Sequence, residues 1–239
     1  MILDFIFPRV CHLCGETLGA GVHYVCGPCL AKIPRTLYHR IPDNPMEQRF
    51  MGQFPFRAGT GHFFYSRGSE LAVLMQDLKY RHFRGLARFL GETVAKELLP
   101  TGFLSGIDVI LPVPMHFWKK ARRGYNQTEQ IAIGISNITG IPVGNNLKAV
   151  RSHRTQTSLS RQQRLKNTEG IFKVFHPEQL PGKGMLLLDD VCTTGATLSS
   201  AAIALVDALQ AFHSARSRSD EGTEKYIPDI SLLTLGVTF

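Results

Sequence analysis

The sequence predicts an α/β protein, a mostly parallel β-sheet flanked by helices, with a small cysteine-rich unit in front of it. Short apolar segments alternate with segments whose apolar residues recur at helical spacing, and this alternation predicts βαβ units. Continuous apolar runs such as MLLL (185–188) are typical of parallel strands buried on both faces. A chain of 239 residues has room for one ordinary domain and a small one. We expect a unit at 1–33, a connection at 34–60 and the α/β unit at 61–239.

The first unit is defined by two CxxC pairs, CHLC and CGPC, whose cysteines are Cys11, Cys14, Cys26 and Cys29. Two such turns this close together are typical of a zinc ribbon, in which four thiolates surround Zn²⁺ tetrahedrally. A segment this short cannot bury a hydrophobic core. The metal would therefore have a structural role and would supply the folding energy of the unit. The alternatives are a thioredoxin-like redox CGPC or disulfides. Pro34 soon after CGPC and the second CxxC upstream favour zinc.

The remaining elements follow in order after the proline-rich connection. HFFYS predicts a short strand, DVILPVP a buried strand ended by prolines, and MLLL a strand buried on both faces. Strands are predicted at 62–66, 108–114, 147–152, 170–175, 184–191 and 230–239. Helices are predicted at 69–80, 83–99, 158–167 and 197–212, and the segment 118–140 begins as a basic loop and becomes a helix. The polar segment 213–226 predicts a loop, and Cys192 is predicted to be a small side chain packed in a turn.

The charge is concentrated in one part of the chain. Residues 116–166 hold ten lysines and arginines and one acidic residue, Glu129, so this block carries +9 in a chain with a net charge of +8. Such a block suits the phosphates of a small molecule or a nucleic-acid backbone, and a solvated basic face is the alternative. No apolar run approaches the ~20 residues of a membrane-spanning helix. The first ten residues lack the basic start and cleavage site of a signal peptide, so we expect a cytoplasmic protein without membrane insertion.

One stretch, LLLDDVCTTGATL (186–198), combines an apolar strand, two acids and a turn rich in threonine. Ligands of parallel sheets bind where strand ends lead into helix N-termini, and Asp189 and Asp190 occupy that position. The turn Thr193–Thr197 would offer amides and hydroxyls to an anion, and Gly195 would let a phosphate approach the backbone. Carboxylates can accept hydrogen bonds from a vicinal diol, and backbone amides can hold a phosphate. Together these groups fit a ribose 5-phosphate. An ordinary helix capped by a threonine is the alternative.

The stretch resembles the phosphoribosyl pyrophosphate (PRPP) motif of type I phosphoribosyltransferases, with its apolar run, paired acids and T-G-x-T core. The resemblance implies a type I phosphoribosyltransferase-like sheet and Mg²⁺ bound with PRPP. It also implies that Asp189 or Asp190 stabilises the cationic ribose during transfer. The implied PRPP-binding residues are Asp189, Asp190, Thr193, Thr194, Gly195, Ala196 and Thr197.

In the order of several motifs the chain resembles the ComF family. This family consists of DNA-uptake competence proteins and their relatives. The zinc ribbon is followed by LKY (78–80), DVILPVP (108–114), RRGYNQ (122–127), RTQTSLSRQQRLKN (154–167) and the PRPP motif. The resemblance implies a role in natural transformation on incoming single-stranded DNA, beside a competence helicase. No role follows for Lys79 and Tyr80 of the LKY motif.

Further contacts to pyrophosphate or DNA are expected from two regions. The resemblance implies that backbone amides of the turn at 112–115, with Val113 and Met115, hold pyrophosphate; alternatively its two prolines simply end the strand. Arginine presents a planar fork that suits phosphate oxygens. The candidate polar contacts are Arg122, Arg123, Asn126, Gln127, Arg154, Arg161 and Arg164, with Gln156 and Asn167 in the same region. Trp118 and Tyr125 could stack on bases, although packing is the favoured interpretation for both.

Three hypotheses about function follow. The first is a ComF-like protein that binds PRPP and single-stranded DNA, with or without transferase activity. The second is a phosphoribosyltransferase of nucleotide salvage or synthesis that acts on a small base or amine. The third is a nucleic-acid-binding module that keeps the scaffold without PRPP. The zinc ribbon and the basic block favour the first over the second, and the intact acidic pair argues against the third.

Overall fold

A computed structural model describes residues 8–80, 83–115, 121, 123–150, 170–180, 182–216 and 226–238. The helix predicted at 158–167 lies outside the described residues, as does most of the loop predicted at 213–226. Among the described residues, none of the helices has the length and apolar character that crossing a membrane requires.

A parallel sheet of four strands forms the centre of the described fold, in the spatial order β1, β6, β5, β2. The strands are β1 (Ala58–Phe64), β2 (Val109–Pro112), β5 (Met185–Cys192) and β6 (Ile230–Val237). Two further predicted strands, β3 (Leu147–Ala149) and β4 (Phe172–Val174), form a separate antiparallel pair outside this sheet. The prediction of a parallel sheet flanked by helices is therefore confirmed.

Helices cover both faces of the sheet. They are α1 (Gly27–Lys32), α2 (Glu70–Tyr80), α3 (Arg84–Leu98), α4 (Gln127–Thr139) and α5 (Ala196–Arg216). Because strand side chains alternate, Leu186 and Leu188 of β5 pack with α2, α3 and α4, while Met185 and Leu187 pack with α5. The cysteine-rich unit joins the first of these two cores through the buried Val25.

Helices α3 and α4 cross at two glycines. A Cβ built on Gly91 would lie 2.2 Å from the carbonyl oxygen of Ile131, and one on Gly134 would lie 2.1 Å from that of Arg88. Only glycine allows the two backbones to approach this closely. The crossing sets the position of α4, whose first turn contributes to the site described below.

Residues 34–57 pack closely against the sheet. Met46 and Phe50 are fully buried on the α5 face, and Asn44 Nδ2 donates to the carbonyl of Gly59 at 2.9 Å. Strand β1 begins at Ala58, three residues before the boundary predicted at 61. The division of the chain into 1–33, 34–60 and 61–239 stays a prediction.

Candidate functional site

The acidic pair lies at the carboxyl end of β5, as the sequence predicts. Asp189 is opposite Thr234 of β6, and both acids are partly buried. The turn that follows, Thr193–Thr197, leads into α5, which begins at Ala196. Thr194 Oγ1 accepts a long hydrogen bond of 3.4 Å from the amide of Ala196, so this threonine also provides the cap that the sequence left as an alternative.

The turn is held from behind by residues of the segment between the cysteine-rich unit and β1. Gly195 has a φ of +80°, and a Cβ at this position would lie 2.8 Å from the ring of Phe50. The guanidinium of Arg49 donates to the carbonyls of Thr193 and Thr238. Sequence reasoning missed Arg49 and Phe50, because nothing in a proline-rich connection indicates which of its residues reach a distant turn.

A cleft of about 190 Å³ opens beside the acidic pair, and we call it the central cleft. Its lining brings together eight residues predicted for the site: Val113, Met115, Arg123, Asn126, Gln127, Asp189, Asp190 and Thr197. A small hollow next to it is lined by Asp189, Thr193, Thr194, Gly195, Ala196 and Thr197. Arg122, Arg154, Gln156, Arg161, Arg164 and Asn167 lie outside the described residues, as does Trp118.

The wall opposite the acids is the first turn of α4. Asn126 caps this helix by accepting from the amide of Thr128, and its Nδ2 donates to the carbonyl of Val113 at 3.1 Å. Gln127 is 1% exposed, and its Nε2 finds no acceptor among the described residues. A buried amide donor without a partner is costly, so a ligand oxygen in the cleft would satisfy it. The cleft thus lies between the N-termini of α4 and α5, both of which favour anions.

The turn after β2 offers fewer amides than expected. The amide of Val113 donates to the carbonyl of Leu188 at 2.7 Å, so it continues the strand pairing and cannot also hold pyrophosphate. Pro112 and Pro114 have no amide hydrogen. The prediction of an amide donor at Val113 is therefore wrong, whereas the one at Met115, which lines the central cleft, stays a prediction.

Burial and the neighbouring carboxylate of Asp190 together raise the pKa of Asp189 to about 8. Two adjacent acids in a partly enclosed site repel each other when both are ionised. Lys79, at the end of α2, places its Nζ 3.7 Å from Asp190 Oδ2. The LKY motif is the sequence signal that points to this lysine, although its role did not follow from the sequence.

A second cavity of about 530 Å³ adjoins the central cleft. The two share Pro114, Met115, Asn126 and Ala149. The second cavity extends along β3 and α4, where Lys148 and Glu129 lie among mainly apolar side chains. The two cavities therefore adjoin at these four residues.

Tyr125 and Cys192 are packing residues. Tyr125 is 4% exposed, and its hydroxyl donates to the carbonyl of Leu78 at 2.6 Å, so its ring is not available to stack on a base. Cys192 is buried, and burial raises the pKa of its thiol to about 11. The packing interpretation is confirmed for both residues, although Cys192 is the last residue of β5 and not part of the predicted turn.

The four N-terminal cysteines could hold a metal ion, since their sulfurs all lie within 4.8 Å of one another. Cys14 Sγ and Cys26 Sγ are 3.9 Å apart. In a tetrahedral site with Zn–S bonds of about 2.3 Å, sulfurs would be about 3.8 Å apart. The donor set and its spacing therefore fit zinc.

The sequence of this chain is similar to those of known proteins whose names refer to competence or to the use of DNA. Competence protein F of Haemophilus influenzae is 33% identical over 145 residues, which cover 58% of this chain and 61% of that protein. The chain is a homologue of Competence protein F. The DNA utilization protein YhgH of Escherichia coli O157:H7 is 29% identical over 207 residues, or 82% of this chain and 89% of YhgH. YhgH of Salmonella typhimurium is 29% identical, and the match covers 59% of that protein. The chain therefore spans about three fifths of the length of this YhgH and of Competence protein F.

No protein-family model matches the chain. Among solved structures, the glutamine PRPP amidotransferase of B. subtilis, in complex with ADP and GMP, aligns with 51% of this chain and 23% of its own. That alignment has a TM-score of 0.33 and 22% identity.

Proposed function

We propose that the central cleft binds a ribose 5-phosphate ligand of the PRPP type together with Mg²⁺. The observation that carries this proposal is the acidic pair at the end of β5, followed at once by a glycine-containing turn at the start of α5. Amides at the start of a long helix bind phosphate, and carboxylates accept hydrogen bonds from vicinal hydroxyls. A ribose that carries a 5-phosphate needs both the carboxylates and the amides.

Mg²⁺ fits the donors that the cleft provides. It prefers oxygen ligands, keeps several waters and is usually bound through one or two carboxylates and substrate phosphates. Asp189 and Asp190 supply the carboxylates, and a bound cation would favour the ionised form of Asp189. The cation would supply charge neutralisation at the phosphates, while the protein orients the ribose between the two helix N-termini.

A second anionic group of the ligand is expected on the opposite wall. The Nε2 of Gln127 has no hydrogen-bond acceptor among the described residues, and Arg123 lines the same wall of the cleft. With the 5-phosphate at the turn Thr193–Thr197, a pyrophosphate would reach these donors from the other end of the ribose. This arrangement supports PRPP over a ligand with a single phosphate.

Single-stranded DNA is the proposed macromolecular partner, with a role in DNA uptake. The names of the relatives, a competence protein and DNA utilization proteins, support this role. The +9 charge of residues 116–166 supports a phosphate backbone as the partner. Binding to single-stranded DNA should then weaken as salt rises, with a slope of log affinity against log salt of about −0.7 for each phosphate neutralised. A competence helicase as partner and a cytoplasmic location stay predictions.

A transferase that acts on a small base or amine is the second candidate. The cavity of about 530 Å³ next to the central cleft favours it, since a volume of this size suits a small organic acceptor. Release of pyrophosphate from PRPP in the presence of one defined base, and not without it, would support this candidate over binding alone.

The test is calorimetric titration of PRPP with Mg²⁺ into the zinc-loaded protein and into Asp189→Asn/Asp190→Asn. We expect binding to the wild type and loss of at least about tenfold in affinity in the double variant, because two charge-assisted contacts disappear. Asp207→Asn, an exposed acid on α5, is the matched control and should bind like the wild type. Absence of binding to the wild type, or equal binding to the double variant, would overturn the proposal.

A further inference from the structure

The cysteine-rich unit holds the end of α2 and the start of α3. His12, inside the CHLC knuckle, donates from Nδ1 to Asp77 Oδ2 at 2.6 Å, and both side chains are largely buried. The His12 ring also meets the ring of Phe83 edge-on, with 4.6 Å between centroids. Tyr24 lies so close to the first turn of α3 that a Cβ on Gly85 would be 1.8 Å from its hydroxyl. The knuckle is therefore fitted against both helices.

The other side of the same helix end is held by the loop before α4. The carbonyl of Leu78 is among the last four of α2, which have no partner within the helix, and the hydroxyl of Tyr125 donates to it. Arg84 lies over the Tyr125 ring at 5.4 Å and donates to the carbonyl of Gly124 at 3.1 Å. The last turn of α2 is thus fixed between the cysteine-rich unit and the loop that leads to the central cleft.

The next residue along α2 reaches the acidic pair. Lys79 Nζ lies 3.7 Å from Asp190 Oδ2, and each side chain is about a quarter exposed, at 25% and 22%. Asp77 and Lys79 are two residues apart, so their side chains point about 200° apart around the helix axis. The last turn of α2 is therefore held on one side through Asp77, and it directs Lys79 toward Asp190 on the other side.

We propose that the cysteine-rich unit positions the acidic pair through the last turn of α2. In this arrangement His12 and Asp77 hold the helix end, and Lys79 is the positioning residue for Asp190. Loss of the His12–Asp77 contact frees the turn, and the Asp190 carboxylate then loses the cation that fixes its orientation. The cysteine-rich unit is consequently a part of the site and not only a brace of the fold.

This inference rests on the proposed function for its consequence in binding, but its structural part can be tested without a ligand. The variants are Asp77→Ala, which removes the contact, and Asp77→Asn, whose amide oxygen still accepts from His12. Lys79→Ala removes the cation at a partly exposed position where folding is not at risk. Asp207→Ala, an exposed acid on α5, is the control.

The first measurement is amide hydrogen exchange without ligand, with zinc content determined in parallel. We expect faster exchange at residues 189–197 in Asp77→Ala and Lys79→Ala, with exchange in β6 unchanged and the same zinc content as the wild type. Asp77→Asn and Asp207→Ala should exchange like the wild type. A general loss of stability would instead speed exchange in β6 as well, and that result would overturn the inference, as would unchanged exchange at 189–197.

The second measurement is the affinity for PRPP with Mg²⁺. We expect Asp77→Ala to bind about tenfold more weakly than the wild type, within the usual range for coupled sites, and Asp77→Asn to recover most of this loss. Equal affinity in Asp77→Ala would overturn the coupling to binding. If the wild type binds no PRPP while the exchange difference is present, the positioning contact is supported and the proposed function fails.

Discussion

Phe50 lies directly beneath Gly195, and a Cβ added to this glycine would come within 2.8 Å of the aromatic ring. The two residues are far apart in sequence, yet the shape of the turn Thr193–Thr197 depends on both. The glycine combines a left-handed conformation with the close approach of a fully buried ring. Neither requirement alone would exclude every other residue, but together they leave glycine.

We therefore expect Gly195→Ala to lower the free energy of unfolding by about 2–4 kcal/mol, from overpacking and backbone strain together. Gly182→Ala is the matched control, because Gly182 also has a positive φ, +73°, but open space around it. Its cost should be about 1 kcal/mol. Thermal or urea unfolding measures both. Equal losses in the two variants would mean that the ring of Phe50 does not restrict this position.

Arg49→Ala should destabilise the turn that follows the acidic pair. The guanidinium donates to two backbone carbonyls, Thr193 and Thr238, and hydrogen bonds from a charged donor contribute about 1.5–3 kcal/mol. We expect a loss in this range and weaker binding of PRPP, measured by unfolding and by calorimetry. Arg40→Ala, an exposed arginine of the same segment, should change neither. Wild-type binding by Arg49→Ala would contradict this prediction.

The raised pKa of Asp189 predicts a dependence of stability on pH. Its pKa of about 8 in the folded protein lies above the ordinary value of 3.8. Between these values the folded state binds the proton that the unfolded state has lost, so the stability contributed by protonation falls as pH rises toward 8. In Asp189→Asn this contribution to the slope disappears.

Unfolding curves of the wild type and Asp189→Asn between pH 5.5 and 9 measure the difference. We expect the variant to melt at least about 2–4 °C above the wild type near pH 8, and the gap to narrow toward pH 5.5. Binding of PRPP with Mg²⁺, which requires the ionised carboxylate, should strengthen over the same interval. Parallel curves for the two proteins would show that Asp189 ionises in its ordinary range.

The crossing of α3 and α4 should not tolerate a methyl group. Gly91→Ala would place a Cβ 2.2 Å from the carbonyl oxygen of Ile131, so the helices must move apart. We expect a loss of at least about 2 kcal/mol, as for other overpacked cores. Gly19→Ala adds the same group in open space and should be nearly neutral. A neutral Gly91→Ala would show that the two helices separate without cost.

Removal of zinc should unfold the cysteine-rich unit and loosen the core beside it. Cys11, Leu18 and Val25 are buried in the same core as α2 and α3, so chelation would expose apolar surface on these helices. We expect one zinc per chain by elemental analysis and a melting temperature lower by several degrees after chelation. Cys14→Ser should reproduce the effect. A protein that contains no zinc when purified, and melts unchanged with chelator, would contradict the zinc assignment.

The sequence predicted the strands and the longer helices because each carries a strong local pattern. It did not predict α1, and α5 continues to Arg216, into the segment predicted as a loop. MLLLDDV has both the apolar run of a buried strand and the acids that follow it, and β5 carries these acids near its carboxyl end. The helix expected within 118–140 begins at Gln127, because Asn126 provides the cap after the basic loop. Where the pattern is local, periodicity and capping suffice to place both an element and its functional residues.

What the sequence could not predict depends on contacts between distant residues. The amide of Val113 continues the pairing with Leu188, which the two flanking prolines do not reveal. Strands β3 and β4 pair with each other outside the central sheet, and short apolar runs do not encode which strand is the partner. The contact of Lys79 with Asp190 likewise joins two motifs that the sequence showed separately.

The segment just after the cysteine-rich unit has a further consequence for handling this protein. Arg35 forms an antiparallel bridge with Phe63, and the amide of Thr36 donates to the carbonyl of His62, so residues 34–36 cover the outer edge of β1. An uncovered parallel-sheet edge is a template for pairing between molecules. A shortened chain that starts at residue 34 would keep this cover, whereas one that starts at 58 would expose the whole strand. We expect loss of the cover by residues 34–36 to let β1 pair with a second molecule, so three residues far from any ligand limit edge-to-edge association of this protein.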